Sequence, residues 1–340
     1  MAWTSGSATD YQDLLGLLRD YAVSEGWALN RDDTPGGEME VMLQGDGGGS
    51  MQIYVGIRSF NDGGGSGAFN WELAGFSGFN TLSPWESQPG VSPGRWETPE
   101  NGAYVPLRNA SIDYWFFVSN RRIIVIAKMG TTYVNMYLGL INQYGTNTEY
   151  PYPLAVFGCS SLWNKLFSSS SGGFSGMVDP IRHNAGSPTQ GPAFIRNVAG
   201  DWKPVINGQE VSGSRGESND VICWPCGRVN ISDFASEDRA SNGNVDMADW
   251  IPTTGSPGTP TRRLLQTPTD QFMPIPPIIM MTDPNVALFG TLDNVAWVSS
   301  VGDPANLVSE DIVTIDGDDW IVFQNCNRTE IFNFFLVKKE

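Results

Sequence analysis

A change in hydrophobic period near residue 25 constrains the fold of this sequence more than any other feature. Before the change, apolar side chains recur at three- and four-residue spacing, which places them on one stripe of a helix: Tyr11, Leu14, Leu15, Leu18, Tyr21 and Ala22. Thr9 and Gln12 have the spacing of a capping box, and Gly26 is a typical stop residue. The pattern predicts an amphipathic helix over residues 10–25.

After the change, apolar and polar residues alternate over short runs that glycine-rich turns separate, which is typical of a strand meander. The clearest early runs are residues 39–43, 51–57 and 69–73, with turns at 45–49 and 62–65. These runs predict antiparallel strands.

The strongest hairpin signal joins residues 113–118 to 121–127. Ser119 and Asn120 lie between the two runs, and we expect them to adopt the positive φ of a tight hairpin turn. Residues 131–141 would continue the sheet. The run after Arg121-Arg122 lacks polar alternation, so we expect its far part to be buried on both faces. Five side chains are expected in the core: Leu14, Leu18, Phe117, Val125 and Ile126.

Few periodic runs occur between residues 160 and 270, where serine, glycine and proline are frequent. Strand patterns resume at residues 278–281, 286–289, 295–298, 311–315, 320–323 and 331–337. The predicted fold is therefore α+β and mainly β, with an N-terminal amphipathic helix followed by antiparallel meander sheets. We divide the chain into a helix-plus-sheet domain (1–158), a loop-rich insertion or subdomain (159–270) and a C-terminal β segment (271–340). One arrangement is that the C-terminal segment packs against residues 1–158. The middle part is either a compact local fold or a segment that neighbouring chains order.

Charge limits the classes of ligand. The 340 residues include 20 Lys+Arg and 37 Asp+Glu, which gives a formal net charge of −17. Binding to a phosphate backbone needs dense positive patches, so nucleic acid is excluded as a main ligand. The same charge is repelled by an anionic membrane leaflet. Residues 1–7 lack the features of a secretory signal and the apolar window 275–281 is too short to span a bilayer, so we expect synthesis in the cytoplasm without membrane insertion.

Four cysteines offer one compact motif, Cys223-Trp224-Pro225-Cys226. Such a pair can be a redox site, can join Cys159 and Cys326 in a four-cysteine metal site, or can serve local structure. A thioredoxin-like site needs a strand before it and a helix after it, and the flanking sequence predicts neither clearly. We therefore expect packed or loop-stapling thiols, and neither a metal nor a cofactor.

Other chemistry-bearing residues also favour structural roles. His183, the only histidine, lies in a turn-like stretch without a nucleophile elbow. Glu72, Glu97 and Glu100 lie near tryptophans and are candidates for a glycosidase acid pair, although carboxylates are too common to make this informative. Residues 316–320 resemble a calcium loop but lack its spaced ligands, so a hairpin turn is the better interpretation. We expect no catalytic residues.

The twelve tryptophans could form sugar-stacking platforms, but those within strand patterns are expected to be buried: Trp71, Trp115, Trp297 and Trp320. Trp3, Trp85 and Trp96 lie among turn residues and are candidates for contacts with other chains.

Several stretches resemble a family of virion structural proteins of tailed bacteriophages and prophages. They are residues 52–60, 69–76, 113–125, 133–139, 143–146 and 150–154, and, near the C-terminus, 289–295, 322–325 and 328–329. The resemblance covers about half of the chain and skips the Ser/Gly-rich middle.

The resemblance implies a non-enzymatic structural component of the tail, baseplate or neck, assembled in multiple copies and located in the virion after synthesis in the host cytoplasm. Its expected partners are other copies of itself and other virion proteins. The alternative is a tail-associated protein that binds or cleaves carbohydrate, with a host surface glycan as partner. The family carries no functional-residue signature that could be transferred, so no catalytic position is inherited.

Overall fold

The computed structural model describes residues 2–49, 51–61, 69–94, 102–160, 176–177, 192–205, 221–224, 273–281, 287–299, 308–325 and 334–339. These residues form one α-helix near the N-terminus and four antiparallel sheets. The predicted mainly β fold is therefore confirmed.

Helix α1 spans Tyr11–Ser24, close to the predicted bounds. The predicted cap is wrong by one residue, because the Asp10 carboxylate accepts the hydrogen bonds from the N–H groups of Gln12 and Asp13. Asp13 in turn accepts hydrogen bonds from the N–H and Oγ1 of Thr9, at 2.8 and 3.1 Å. An aspartate oxygen caps a free N–H at least as well as a threonine hydroxyl does, and this reciprocal pairing fixes the start of the helix.

The predicted helix stripe is buried at Tyr11, Leu14, Leu15, Leu18 and Ala22. The helix ends just before Gly26, the predicted stop residue, which has a φ of +95° that a residue with a Cβ rarely adopts.

Twenty-one strands make up the sheets of the described part. The central sheet has the order β1-β7-β8-β9-β11-β12-β13, from β1 (Ala2–Ala8), β7 (Ile112–Ser119), β8 (Arg122–Met129), β9 (Thr132–Leu140), β11 (Leu154–Phe157), β12 (Ala193–Arg196) and β13 (Trp202–Pro204). The N-terminal sheet has the order β2-β3-β4-β5-β6, from β2 (Ala28–Asp33), β3 (Glu40–Gly45), β4 (Ile53–Asn61), β5 (Phe69–Phe76) and β6 (Ala103–Leu107).

Two further sheets come mainly from the C-terminal part. The four-stranded sheet has the order β10-β17-β16-β14, from β10 (Asn142–Gln143), β17 (Ala287–Thr291), β16 (Ile278–Met281) and β14 (Val221–Trp224). The C-terminal sheet has the order β15-β18-β21-β20-β19, from β15 (Met273–Ile275), β18 (Val295–Ser299), β21 (Phe334–Lys339), β20 (Asp318–Gln324) and β19 (Ile312–Ile315).

Both faces of the central sheet are buried, because successive side chains of a strand point to opposite faces. Phe116 and Val125 belong to a first core with α1 and the N-terminal sheet. Phe117 and Ile126 belong to a second core with the four-stranded and C-terminal sheets. All five side chains predicted for the core are buried, and β8 is buried on both faces as its apolar run predicts.

The hairpin between β7 and β8 forms as predicted, but its turn is shifted by one residue. Ser119 pairs with Arg122, so Asn120 and Arg121 form the turn, and neither has positive φ. Hydrogen bonds from Gly47, in the turn after β3, and from Leu140, on β9, hold this turn instead. The Asn120 carbonyl accepts a hydrogen bond from the Gly47 N–H at 3.0 Å, and the Arg121 carbonyl accepts one from the Leu140 N–H at 2.9 Å.

Specific contacts join the C-terminal sheet to the central sheet. The buried Arg122 side chain donates to the Asp293 carbonyl at 2.8 Å and lies 3.4 Å from its carboxylate. Glu310 accepts hydrogen bonds from Lys128 and from the Tyr133 hydroxyl. The C-terminal β segment therefore shares a core with residues of the first 158.

Described stretches of the predicted loop-rich segment form strands of the same sheets. Strands β12 and β13 extend the central sheet, and β14 belongs to the four-stranded sheet. Met177 is buried in the second core, and its N–H donates to Asn135 Oδ1 at 2.8 Å. The rest of residues 159–270 lies outside the described part, and the three-part division stays a prediction.

Candidate functional site

The largest group of buried charges lies on the face of the N-terminal sheet that points away from α1. Strand register places Glu40, Arg58 and Glu72 side by side on β3, β4 and β5. Arg58 Nη2 lies 2.7 Å from Glu72 Oε2, and Arg58 Nη1 lies 2.8 Å from Glu86 Oε1. Arg31 Nη1 lies 2.6 Å from Glu40 Oε1. We call these five side chains the ionic ladder.

A loop over residues 77–92 covers the ionic ladder. The Arg58 guanidinium lies 5.0 Å from the centre of the Trp85 ring, and Trp85 packs edge-on against Phe76 at 5.4 Å. Gly56 makes room for this ring, because a Cβ there would lie 2.7 Å from Trp85. The Gln88 amide nitrogen donates to the carbonyls of Asn80 and Ser83 and closes the loop on itself.

The ladder is suited to anchoring this loop. Burial lowers the pKa of Arg58, but Glu72 and Glu86 outweigh burial and leave its pKa above the ordinary value, so the guanidinium stays charged. The Glu72 side chain is 0% exposed and binds Arg58 through Oε2. Because a glycosidase acid must reach its substrate, this position does not suit Glu72 to that role. Glu97, Glu100 and His183 lie outside the described residues.

Two candidate cysteine ligands lie in different cores. Cys159 belongs to the first core and Cys223, on β14, belongs to the second, so the central sheet lies between them. Cys226 and Cys326 lie outside the described residues. Across the described ranges, no three histidine, cysteine or carboxylate side chains group as a metal site would require.

The tryptophans differ in part from the prediction. Trp71 and Trp297 are buried as expected, whereas Trp115 and Trp320 are half-buried. Trp85 was expected at a contact with another chain, but it is 1% exposed because the ionic ladder and Phe76 hold it inside the loop. Trp3 is half-buried, with its ring on Phe117 and the Lys339 ammonium 4.9 Å from its centre. Trp96 lies outside the described residues.

Most edges of the four sheets carry a feature that blocks further pairing. Strand β2 has a register shift between Leu29 and Arg31 and carries charged residues, both of which discourage strand addition. Strand β6 is fully buried, and Tyr104 is bridged to Ser160. Strands β13 and β15 contain Pro204 and Pro274, which lack the N–H that a neighbour needs.

Both edges of the four-stranded sheet also offer little backbone for further pairing. Strand β10 has only two residues, and β14 is bridged to Val205 through Val221. Strands β1 and β19 differ from all of these, because they contain no proline and their pairing shows no register shift. Ser5–Ser7 in β1 and both Ile312 and Thr314 in β19 are exposed.

We call β1 and β19 the open edges. Sequence reasoning missed β1. It predicted β19 as a strand followed by a hairpin turn within residues 316–320, and the structure confirms that hairpin with a turn at Asp316 and Gly317. That β19 is an edge was not predicted, because an edge is defined by its neighbours in space.

In the described ranges, no helix combines the length and the apolar character that crossing a membrane requires. No protein-family model matches the sequence, and a search of curated proteins finds no match.

Proposed function

We propose that this chain is a non-enzymatic structural component of a tailed-phage virion, in the tail, baseplate or neck, where it assembles in multiple copies. The single observation that carries the proposal is the pair of open edges, β1 and β19, in a protein whose other described edges are blocked. Unpaired N–H and C=O groups on an edge are a template for pairing with another chain. A subunit that is built into a repeated assembly needs such surfaces.

The resemblance supplies the virion context. The stretches 52–60, 69–76 and 113–125 fall on β4, β5, β7 and β8, which form the centre of the N-terminal and central sheets. The proposed partners are other copies of this chain and other virion proteins.

The buried charges are consistent with a rigid structural part. The ionic ladder joins β2, β3, β4 and β5 to the loop 77–92 through Arg31 and Arg58. Such a network holds a surface loop in one conformation.

Sedimentation velocity of the purified chain tests the proposal against the carbohydrate alternative. The run is made with and without polysaccharide from the host cell surface. We expect larger species that form in the absence of polysaccharide. A chain that is monomeric alone and changes its sedimentation only when polysaccharide is added would overturn the structural proposal and favour carbohydrate binding.

A further inference from the structure

Strand β19 is held in a fixed register by a tight hairpin. Asp316 and Gly317 join it to β20 with φ values of +53° and +88°, which are the positive values of a type I′ turn. Ile315 pairs with Asp318 next to the turn, and Val313 pairs with Trp320. In an antiparallel hairpin of this kind these pairs exchange hydrogen bonds, so the backbone groups of Ile312 and Thr314 point to the open side.

Apolar side chains are exposed along the same edge. Ile312 is 53% exposed and Val308, just before the strand, is 61% exposed. Val313 and Ile315 point to the other face, where they pack against a small cluster of Ala296, Val298, Val322 and Leu336. Among the residues that the structure describes, the edge therefore combines free backbone groups with uncovered aliphatic surface, both of which an added strand would use.

Carboxylates surround this edge. Glu310 is paired with Lys128, and Asp318 lies 2.9 Å from Lys338. Asp311 and Asp316 have no cationic partner within the part of the chain that the structure describes. These two acids stand at the two ends of β19.

The acidic residues at the ends of β19 determine which kind of strand can pair with it. A second copy of β19 in antiparallel pairing centred on Val313 would place Ile312 opposite the second copy's Thr314 and Asp316 opposite the second copy's Glu310, and like charges opposite each other destabilise a strand pair. A strand with basic residues at its ends would instead face Asp311 and Asp316 with opposite charge.

We propose that β19 receives, by strand addition, an extended segment of another virion protein that carries β-branched apolar residues flanked by lysine or arginine. This inference rests on the proposed function and names the partner chemistry of one open edge. Backbone hydrogen bonds at Ile312 and Thr314 provide the pairing, and the acidic ends provide the selectivity.

The test uses a fluorescent peptide, Lys-Val-Thr-Val-Thr-Val-Lys, and the full-length chain. Wild type binds this peptide, and the Thr314→Pro variant binds about tenfold more weakly, because proline removes the outward N–H while the backbone hydrogen bonds to β20 remain. A peptide with glutamate at both ends binds wild type at least about fivefold more weakly, and the difference shrinks in high salt. Hydrogen exchange shows protection by the peptide at residues 312–315.

Ile312→Ser is the second variant, in case proline prevents folding, and Val198→Ser is its matched control. Val198 is 60% exposed and lies outside β19. We expect weaker binding for Ile312→Ser alone. Equal affinity of wild type and Ile312→Ser, or protection on another strand, would overturn the inference. Self-association of the chain without peptide binding at β19 would defeat this inference only, whereas binding at β19 by a chain that is absent from virions would defeat the proposed function only.

Discussion

At the residue scale, the ionic ladder is the most demanding feature of the fold, because it removes charges from water. The Glu72 side chain is 0% exposed and that of Arg58 is 7% exposed. Each charge is tolerated only because its partner is also present. The loop 77–92 depends on the same pair, since Glu86 and Trp85 both contact Arg58.

Replacing Arg58 with alanine tests this dependence. We expect Arg58→Ala to lower the free energy of unfolding by about 3–5 kcal/mol, because Glu72 is left buried without its cation. The double variant Arg58→Met/Glu72→Leu should recover most of the loss. Urea denaturation measures both, with Arg19→Ala as control, since the exposed pairs of Arg19 with Asp20 and Asp32 are worth about 0–1 kcal/mol. Equal losses for Arg58→Ala and Arg19→Ala would contradict the account.

The buried tyrosines should make the folded state less stable at alkaline pH. Burial raises the pKa of Tyr137 above its ordinary value near 10, and raises the pKa of Tyr152 to about 12. At pH values above 10 the unfolded chain releases these protons before the folded chain does, so the unfolded state is favoured. Stability that is complete below pH 10 should therefore fall between pH 10 and 12.

The Tyr137→Phe variant isolates one such group. The Tyr137 hydroxyl donates to the Leu140 carbonyl at 2.5 Å, so the variant should lose about 1 kcal/mol at pH 7. Between pH 10 and 12 the free energy of unfolding of the variant should fall less steeply than that of wild type. Tyr144→Phe is the control, because Tyr144 is 54% exposed. If chemical denaturation shows the same alkaline slope for wild type and Tyr137→Phe, burial of this hydroxyl is not a source of the effect.

At the element scale, helix α1 should be stabilised mainly by its buried stripe. Leu18 is 0% exposed in the first core, whereas Val23 on the same helix is 42% exposed. Leu18→Ala should cost about 2–5 kcal/mol because it leaves a cavity. Val23→Ala should change the free energy of unfolding by less than about 0.5 kcal/mol, as surface substitutions usually do. Thermal or urea unfolding that ranks the two variants in the opposite order would show that the stripe does not hold the helix.

The elements that could be predicted from the sequence are those with a hydrophobic pattern among residues close together in the chain. The helix was found from the spacing of Leu14, Leu15 and Leu18, and β8 from its continuous apolar run. Strand β1 was missed because Thr4–Ser7 has neither apolar alternation nor strong strand propensity. Its conformation comes from pairing with β7 along its whole length.

The ionic ladder and the open edges were beyond sequence reasoning for a similar reason. Glu40, Arg58 and Glu72 are far apart in the chain and meet only through the register of three strands. Trp85 was expected at a surface because it lies among turn residues, yet the space left by Gly56 admits it to the interior. Long-range register and close backbone approach leave little trace in one sequence.

At the scale of the whole molecule, net charge opposes assembly. Each copy carries a formal charge of −17, so copies in contact repel each other at low ionic strength. Interfaces built from strand edges and apolar side chains gain little from salt bridges. Self-association should therefore strengthen between about 50 and 500 mM NaCl, as salt screens the repulsion.

Light scattering at fixed protein concentration measures this dependence. Sodium sulfate at matched ionic strength separates screening from salting-out, because sulfate also strengthens burial of apolar surface. Association that weakens steadily with added NaCl would indicate interfaces held by ion pairs, which is contrary to the open-edge account.

The central claim is that the chain is built into virions in multiple copies. Quantitative mass spectrometry of virions purified from cultures that produce the chain tests it most directly, with the major capsid protein as internal standard. The account predicts that the chain remains with particles through density-gradient purification, at several copies per particle and in a constant ratio to the other tail proteins. A chain that is absent from purified particles while abundant in the lysate would contradict the account.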